Sequence, residues 1–178
     1  KGQKLCENVE LALELDTPQL YEAWLREPME TFAEKYWKKW GLQEHPIAKK
    51  PVERVYIGNT FCPHLFPEND ILHAMLEKAK IEGISVTLTF SWIKESQIDS
   101  IRELLKFLEQ RKEYMPNEIA VNDWGTAHLI RKWKQETQNC VKLNLGILLN
   151  RYKKDNRSRY LKEETKCFQE TNLNSEFY

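Results

Sequence analysis

Four short stretches of this sequence carry side chains able to do chemistry at a small spacing. Asn59, Thr60 and Cys62 form the first, with Pro63 and His64 directly behind the cysteine. A thiol so placed offers a thiolate ligand for a soft metal or a nucleophile that His64 would serve as base; an inert buried thiol is the plain alternative. Ser91 and Trp92 form the second stretch, and Asn122, Asp123, Trp124 and Gly125 the third. An acid followed by an aromatic residue and a glycine either caps the helix that begins there or orients a ligand, and both roles are open for Asp123. Asn150 and Arg151 form the fourth and open a basic run, Arg151, Lys153, Lys154, Arg157, Arg159 and Lys162. That run suits a phosphate, a carboxylate or an RNA backbone, or else is a solvated loop. No glycine-rich phosphate loop occurs, and His45, His73 and His128 are scattered without metal-ligand spacing.

The elements that must position these groups repeat along the chain. Val52 to Gly58, Ile84 to Phe90, Glu118 to Asn122 and Val141 to Leu145 read as short apolar strands. Between them lie helical patterns. Ile71, Leu72, Met75, Leu76 and Ala79 share one face, Ile98, Ile101, Leu104, Leu105 and Leu108 another, and Trp124 to about Gln135 forms a third helix. Repeats of this size build parallel sheets, and functional groups in such sheets collect on the loops that leave the C-terminal strand ends. Asn59, Cys62, Ser91, Asn122, Asp123 and Asn150 all follow a strand in this way and are expected to converge at one end of the sheet.

Upstream, Val9 to Leu15 alternates apolar side chains with Glu10 and Glu14, the pattern of a strand with one wet face. Thr17 and Pro18 then read as a helix start, with Thr17 as cap, and Pro28 should kink or split the helix that follows. Tyr21, Trp24, Phe32, Tyr36, Trp37 and Trp40 make an aromatic stripe that suits a core better than a ligand cage. Gln43 to Pro51 reads as a connector. The expected organisation is therefore residues 1–51 as an N-terminal strand, kinked helix and connector, and 52–178 as a (β/α) region. The fold class is α/β with parallel (β/α) repeats, a partial or incomplete TIM-like barrel, because four such units and one extra strand are too few to close eight strands. Asn174 to Tyr178 stops inside what reads as a capped helix, so truncation at the C-terminus is expected.

Composition narrows the class of partner. The 178 residues contain 27 basic and 27 acidic side chains, a formal net charge of zero, which excludes bulk electrostatic attachment to nucleic acid while leaving local patches open. At 41% hydrophobic and 30% charged, the chain can bury an ordinary core. No apolar stretch approaches the ~20 residues that cross a bilayer, and Lys1 to Glu10 lacks a signal-peptide core, so a cytoplasmic protein without membrane attachment is expected. Cys6, Cys62, Cys140 and Cys167 show no paired spacing, consistent with reduced thiols.

Three segments carry a resemblance. Val55-Tyr56-Ile57-Gly58 with Cys62, then Glu118 to Gly125 (EIAVNDWG), then Leu145 to Asn150 (LGILLN) resemble, in order and spacing, the collagenase-like peptidase family labelled U-thirty-two. The similarity runs from about Val52 to Lys154 and is greatest to the branch of oxygen-independent ubiquinone hydroxylation proteins, UbiU and UbiV; the EIAVNDWG segment is its most specific part. The resemblance implies a TIM-like barrel and, in that branch, an iron–sulfur cluster on four cysteines. Cys62 matches the first of these; Cys6, Cys140 and Cys167 match none. A cluster is thus implied for the complete protein, and none is expected in this chain alone. Asn156 stands where many relatives have proline in the basic stretch. Other branches resemble RNA hydroxylation proteins that use prephenate as oxygen source, so the resemblance implies hydroxylation of RNA or a quinone precursor. It leaves a peptidase-like hydrolase or a non-catalytic partner module as alternatives, and implies a protein partner of the same family.

Overall fold

The structure, a computed structural model, describes residues 9–149. Along it run β1 (Ala12–Leu15), α1 (Pro18–Arg26), α2 (Met29–Lys39), β2 (Arg54–Ile57), α3 (Asn69–Glu82), β3 (Ser85–Thr89), α4 (Ile98–Glu109), β4 (Glu118–Val121), α5 (Trp124–Thr137) and β5 (Lys142–Leu145). All five strands are parallel, and their order across the sheet is their order in the chain. The strand that opens the sequence therefore pairs with β2 and belongs to the same sheet and core. Asn150, Arg151, the basic run, Cys6, Cys167 and the C-terminal helix expected from the sequence lie outside the described residues.

Strand register sorts the side chains by face. Because successive residues alternate, Leu15, Ile57, Leu88, Ile119 and Leu143 fall in one row across the sheet, with Leu13, Val55 and Val86 a step behind on the same face. This face is the core: Leu15, Val55, Ile57, Leu88 and Ile119 are completely buried, together with Leu72 and Met75 of α3, Leu108 of α4 and Ile130 of α5. The intervening row is Glu14, Tyr56, Thr87, Glu118 and Lys142, so the opposite face is polar. Parallel strands covered on both faces read as continuous apolar runs, whereas here the alternation is clear.

Local chemistry explains the element boundaries. Pro28 cannot donate its backbone nitrogen and forces Glu27 into an extended conformation (φ −148°, ψ 158°), so the expected long helix is split into α1 and α2. Thr17 does stand at the N-cap of α1, but its side chain makes no capping hydrogen bond; Pro18 starts the helix instead. Gly83 ends α3 in the left-handed conformation. Aromatic donors tether the helices: Trp24 Nε1 donates to Glu82 Oε2 (3.2 Å) and Trp133 Nε1 to Glu109 Oε1 (2.6 Å).

Three expectations about the core need correction. Trp40 is 61% exposed, because the chain turns away at the end of α2 and its ring leans on Tyr36 instead of the sheet. Ile71 sits at the flank of the stripe that Leu72, Met75, Leu76 and Ala79 bury, and remains open to solvent; Ile98, in the first turn of α4, is half-buried. Of the rest of the aromatic stripe, Tyr21, Trp24, Phe32 and Trp37 are buried and Tyr36 is half-buried. No described helix is long and apolar enough to cross a membrane.

Candidate functional site

The loop after β2 is built around one glycine and one amide. At Gly58 (φ +112°) a Cβ would lie 2.3 Å from the carbonyl oxygen of Thr89 and 3.0 Å from the Phe66 ring, so β2 and β3 approach here as only glycine allows. Asn59 Oδ1 then accepts the backbone N–H groups of Phe61 and Cys62, both at 2.8 Å, while its Nδ2 donates to the carbonyl of Asp16 (3.3 Å). Asn59 thereby folds the loop that presents Cys62 and pins it to the end of β1. The Cys62 thiol is half-buried and free, ahead of a single 3-10 turn from Pro63 to Leu65. His64 is exposed, and no hydrogen bond joins it to Cys62.

Beyond β3 and β4 the same economy holds. Ser91 is buried and donates to the carbonyl of Trp92 (3.2 Å). Asn122, 4% exposed, bridges two strands' ends: Nδ2 donates to the Phe90 carbonyl at 2.7 Å, and Oδ1 accepts from the Leu148 N–H at 3.1 Å. Of the two roles open for Asp123, the one the structure displays is capping. Its carboxylate accepts from Thr126 N and Thr126 Oγ1, each at 2.7 Å, at the start of α5. Each of these four loops also exposes one large apolar side chain, Phe61, Trp92, Trp124 and Ile147, so the C-terminal edge of the sheet has an apolar rim.

Asn59, Cys62, Ser91, Asn122 and Asp123 all follow strands at that edge, but they do not share one cleft. Asn59 and Ser91 line one cleft of about 430 Å³, between the N-terminal parts of α3 and α4. Asp123 lines another, about 560 Å³, between α4 and α5. Cys62 and Asn122 line neither.

Two further groups escaped the reading by loops. On the polar face, Arg54 donates to Thr87 Oγ1 (3.0 Å) and pairs with Glu118 Oε2 (3.3 Å) and Glu10 Oε1 (3.1 Å); Asn144 Nδ2 and Thr87 Oγ1 also donate to Glu118. Arg54 and Glu118 are mostly buried, with side chains 13% and 15% exposed, so this ion pair is drier than a surface one. The second group surrounds the end of β1. Burial first, and Asp16 second, raise the Glu14 carboxyl above the ordinary carboxylate range. The Tyr21 phenol is raised strongly, chiefly by burial and further by Asp16 and Glu14, against the lowering effect of the Gly58 N–H; Tyr36 is raised by the same burial and carboxylates. The alternation in β1 foreshadowed Glu14 on the face away from the core, where its side chain is solvent-accessible yet partly desolvated. Nothing in the sequence announced the Arg54–Glu118 cluster, since its members meet only through strand register.

As a metal site, the described residues supply one thiolate at this edge. Cys140 precedes β5, at the opposite end of the sheet from Cys62, and strands of this length hold the two ends apart by roughly 13 Å or more. Among the described residues no group of three or more His, Cys, Asp or Glu is placed to hold a metal ion, so a four-cysteine cluster does not fit this donor set by itself. No family model matches the sequence, and no curated protein or solved structure matches it.

Proposed function

We propose that this chain is a peptidase U-thirty-two-like protein of the hydroxylation type, whose five strands form the first part of a TIM-like barrel and whose C-terminal strand edge faces the substrate. Strand order is the observation that carries the reading. A doubly wound sheet reverses direction at a switch point, whereas these strands follow one another without reversal, helices against an apolar face and a hydrogen-bonded polar layer on the other. That polar layer, with Arg54, Thr87, Glu118 and Asn144, corresponds to a barrel interior. The substrate, RNA or a quinone precursor, presents a flat ring, for which the exposed Phe61, Trp92 and Trp124 side chains are suitable neighbours.

In this reading Cys62 is the first ligand of an iron–sulfur cluster whose other thiolates come from residues outside 9–149. The cluster would supply electron transfer; Asn59 would hold the Cys62 loop in place. Asn150 and Arg151, outside the described residues, remain ligand-binding candidates by their place in the sequence. Hydroxylation is preferred to proteolysis because Cys62 and His64 share no hydrogen bond of the kind an activated nucleophile uses. One observation favours a second reading, a non-catalytic module that binds a protein partner of the same family: Asn59, Asn122 and Asp123 spend their hydrogen bonds on the protein's own loops and strand ends.

Anaerobic purification of the protein at its full natural length, with iron and sulfide analysis, decides between them. A stoichiometric cluster abolished by Cys62→Ser supports the hydroxylation reading. Iron that survives this substitution, or its absence from the wild type, overturns it and leaves the partner module.

A further inference from the structure

The 430 Å³ cleft between α3 and α4 has a composition that the sheet edge does not need. Its inner wall is apolar: Phe90, almost fully buried, stacks on Phe66 with ring centroids 4.9 Å apart and planes 16° from parallel, and Leu104 and Ile101 of α4 complete the floor. Its charged lining is of one sign. Glu68, at the N-cap of α3, and Glu103, one turn into α4, both line it and both are exposed; no basic side chain among the described residues lines it. Among the described residues neither carboxylate has an ion-pair or side-chain hydrogen-bond partner, although nearby pairs such as Arg102–Asp99 show that salt bridges form readily on α4. Glu68 gains something from the positive end of α3, but Glu103 lies past the start of α4 and has no such compensation.

A cavity of this volume is within the range of small-molecule sites, which combine an apolar body with a few convergent polar groups. We infer that this cleft binds a small organic cation bearing an aromatic ring, the ring against Phe66 and Phe90 and the ammonium group at the mouth between Glu68 and Glu103. Ser91 and Asn59 also line the cleft, with their polar side chains held by Trp92, Phe61, Cys62 and Asp16. The opposite charge pattern is disfavoured, because an aromatic carboxylate would place its anion against two unneutralised glutamates. The site lies where α3 and α4 meet the loops after β2 and β3, and its argument uses neither the cluster nor the barrel reading.

Titration of the chain with 2-phenylethylamine, followed by NMR shifts of the Phe66, Ser91 and Leu104 signals, tests this directly. Phenylacetate, with a similar ring and the opposite charge, is the control. Saturable binding of the amine at least about tenfold tighter than the acid is expected, with the shifts confined to the cleft and the preference weakened by salt. The double variant Glu68→Gln/Glu103→Gln, at two exposed positions, should bring the two probes to similar affinity. Ser100→Trp, on the exposed lip of the cleft, should weaken both. Equal affinities in the wild type, a preference that persists in the double variant, or no saturable shift with the amine would each overturn the proposal.

Discussion

Asn122 and Gly146 show how tightly single residues are matched at the sheet edge. A Cβ at position 146 would lie 2.3 Å from Asn122 Oδ1, and Asn122 cannot yield without giving up both the Phe90 carbonyl and the Leu148 N–H. Gly146→Ala should therefore cost about 1–3 kcal/mol. Asn122→Ala should cost a similar amount, by leaving two partly or fully buried backbone groups without a partner. Combined, the two changes should be markedly less than additive, since alanine at 122 removes every atom the new methyl would strike; denaturant midpoints of the four proteins in a double-mutant cycle measure this. Glu14 gives a prediction with a pH sign. Its carboxyl is raised in the fold above the ordinary value of 4.5, so the folded state favours the protonated form, and wild-type stability falls as pH rises through that raised value. Glu14→Gln should accordingly be more stable than wild type at neutral pH. The advantage should vanish well below 4.5, where both states of the wild type are protonated. A urea midpoint difference unchanged across that range would contradict the assignment.

At the scale of elements, α4 is the clearest case of sequence pattern becoming packing. Ile101, Leu104, Leu105 and Leu108 recur at helical spacing and are all buried against the sheet, with Leu105 at 3% exposure. Leu105→Ala should cost about 2–5 kcal/mol, read as a lowered melting temperature. Helices and strands of this kind were legible because burial imposes a period of 3.6 or 2 on the chain, and punctuation by Pro28 and Gly83 marked where they stop. Ends were less legible: β2 starts at Arg54, two residues inside the apolar run, since hydrogen bonding to β1 and β3 rather than hydrophobicity sets its limits. The candidate site was legible in location and not in function. Loop position identified Asn59, Asn122 and Asp123, and the capping role of Asp123 was open to a local reading; what Asn59 and Asn122 grip depends on backbone groups as far away as Asp16, Phe90 and Leu148, which no local pattern reveals. The Arg54–Glu118 pair was invisible for the same reason, being assembled from β2 and β4 with β3 between them.

For the molecule as a whole, the sheet has a protected middle and two unequal margins. β2, β3 and β4 have a strand on each side, while among the described residues β5 has β4 alone and its residues are exposed or half-buried. Amide hydrogen exchange should be slowest for Val55, Ile57, Val86 and Leu88, whose strands also carry the deepest apolar side chains, and faster throughout Lys142 to Leu145. Uniform protection over all five strands would show that β5 is held by more than the described residues. Strand order has a further consequence, for how the molecule is made. Each strand's partner is the next strand to be synthesised, so a chain leaving the ribosome N-terminus first can add β2 to β1, then β3 to β2, with nothing to insert later between strands already joined. Growth proceeds at a single advancing edge, and the newest strand is always the outermost one. Mechanical extraction from the C-terminal side would retrace that path, peeling β5 before the load reached the buried centre.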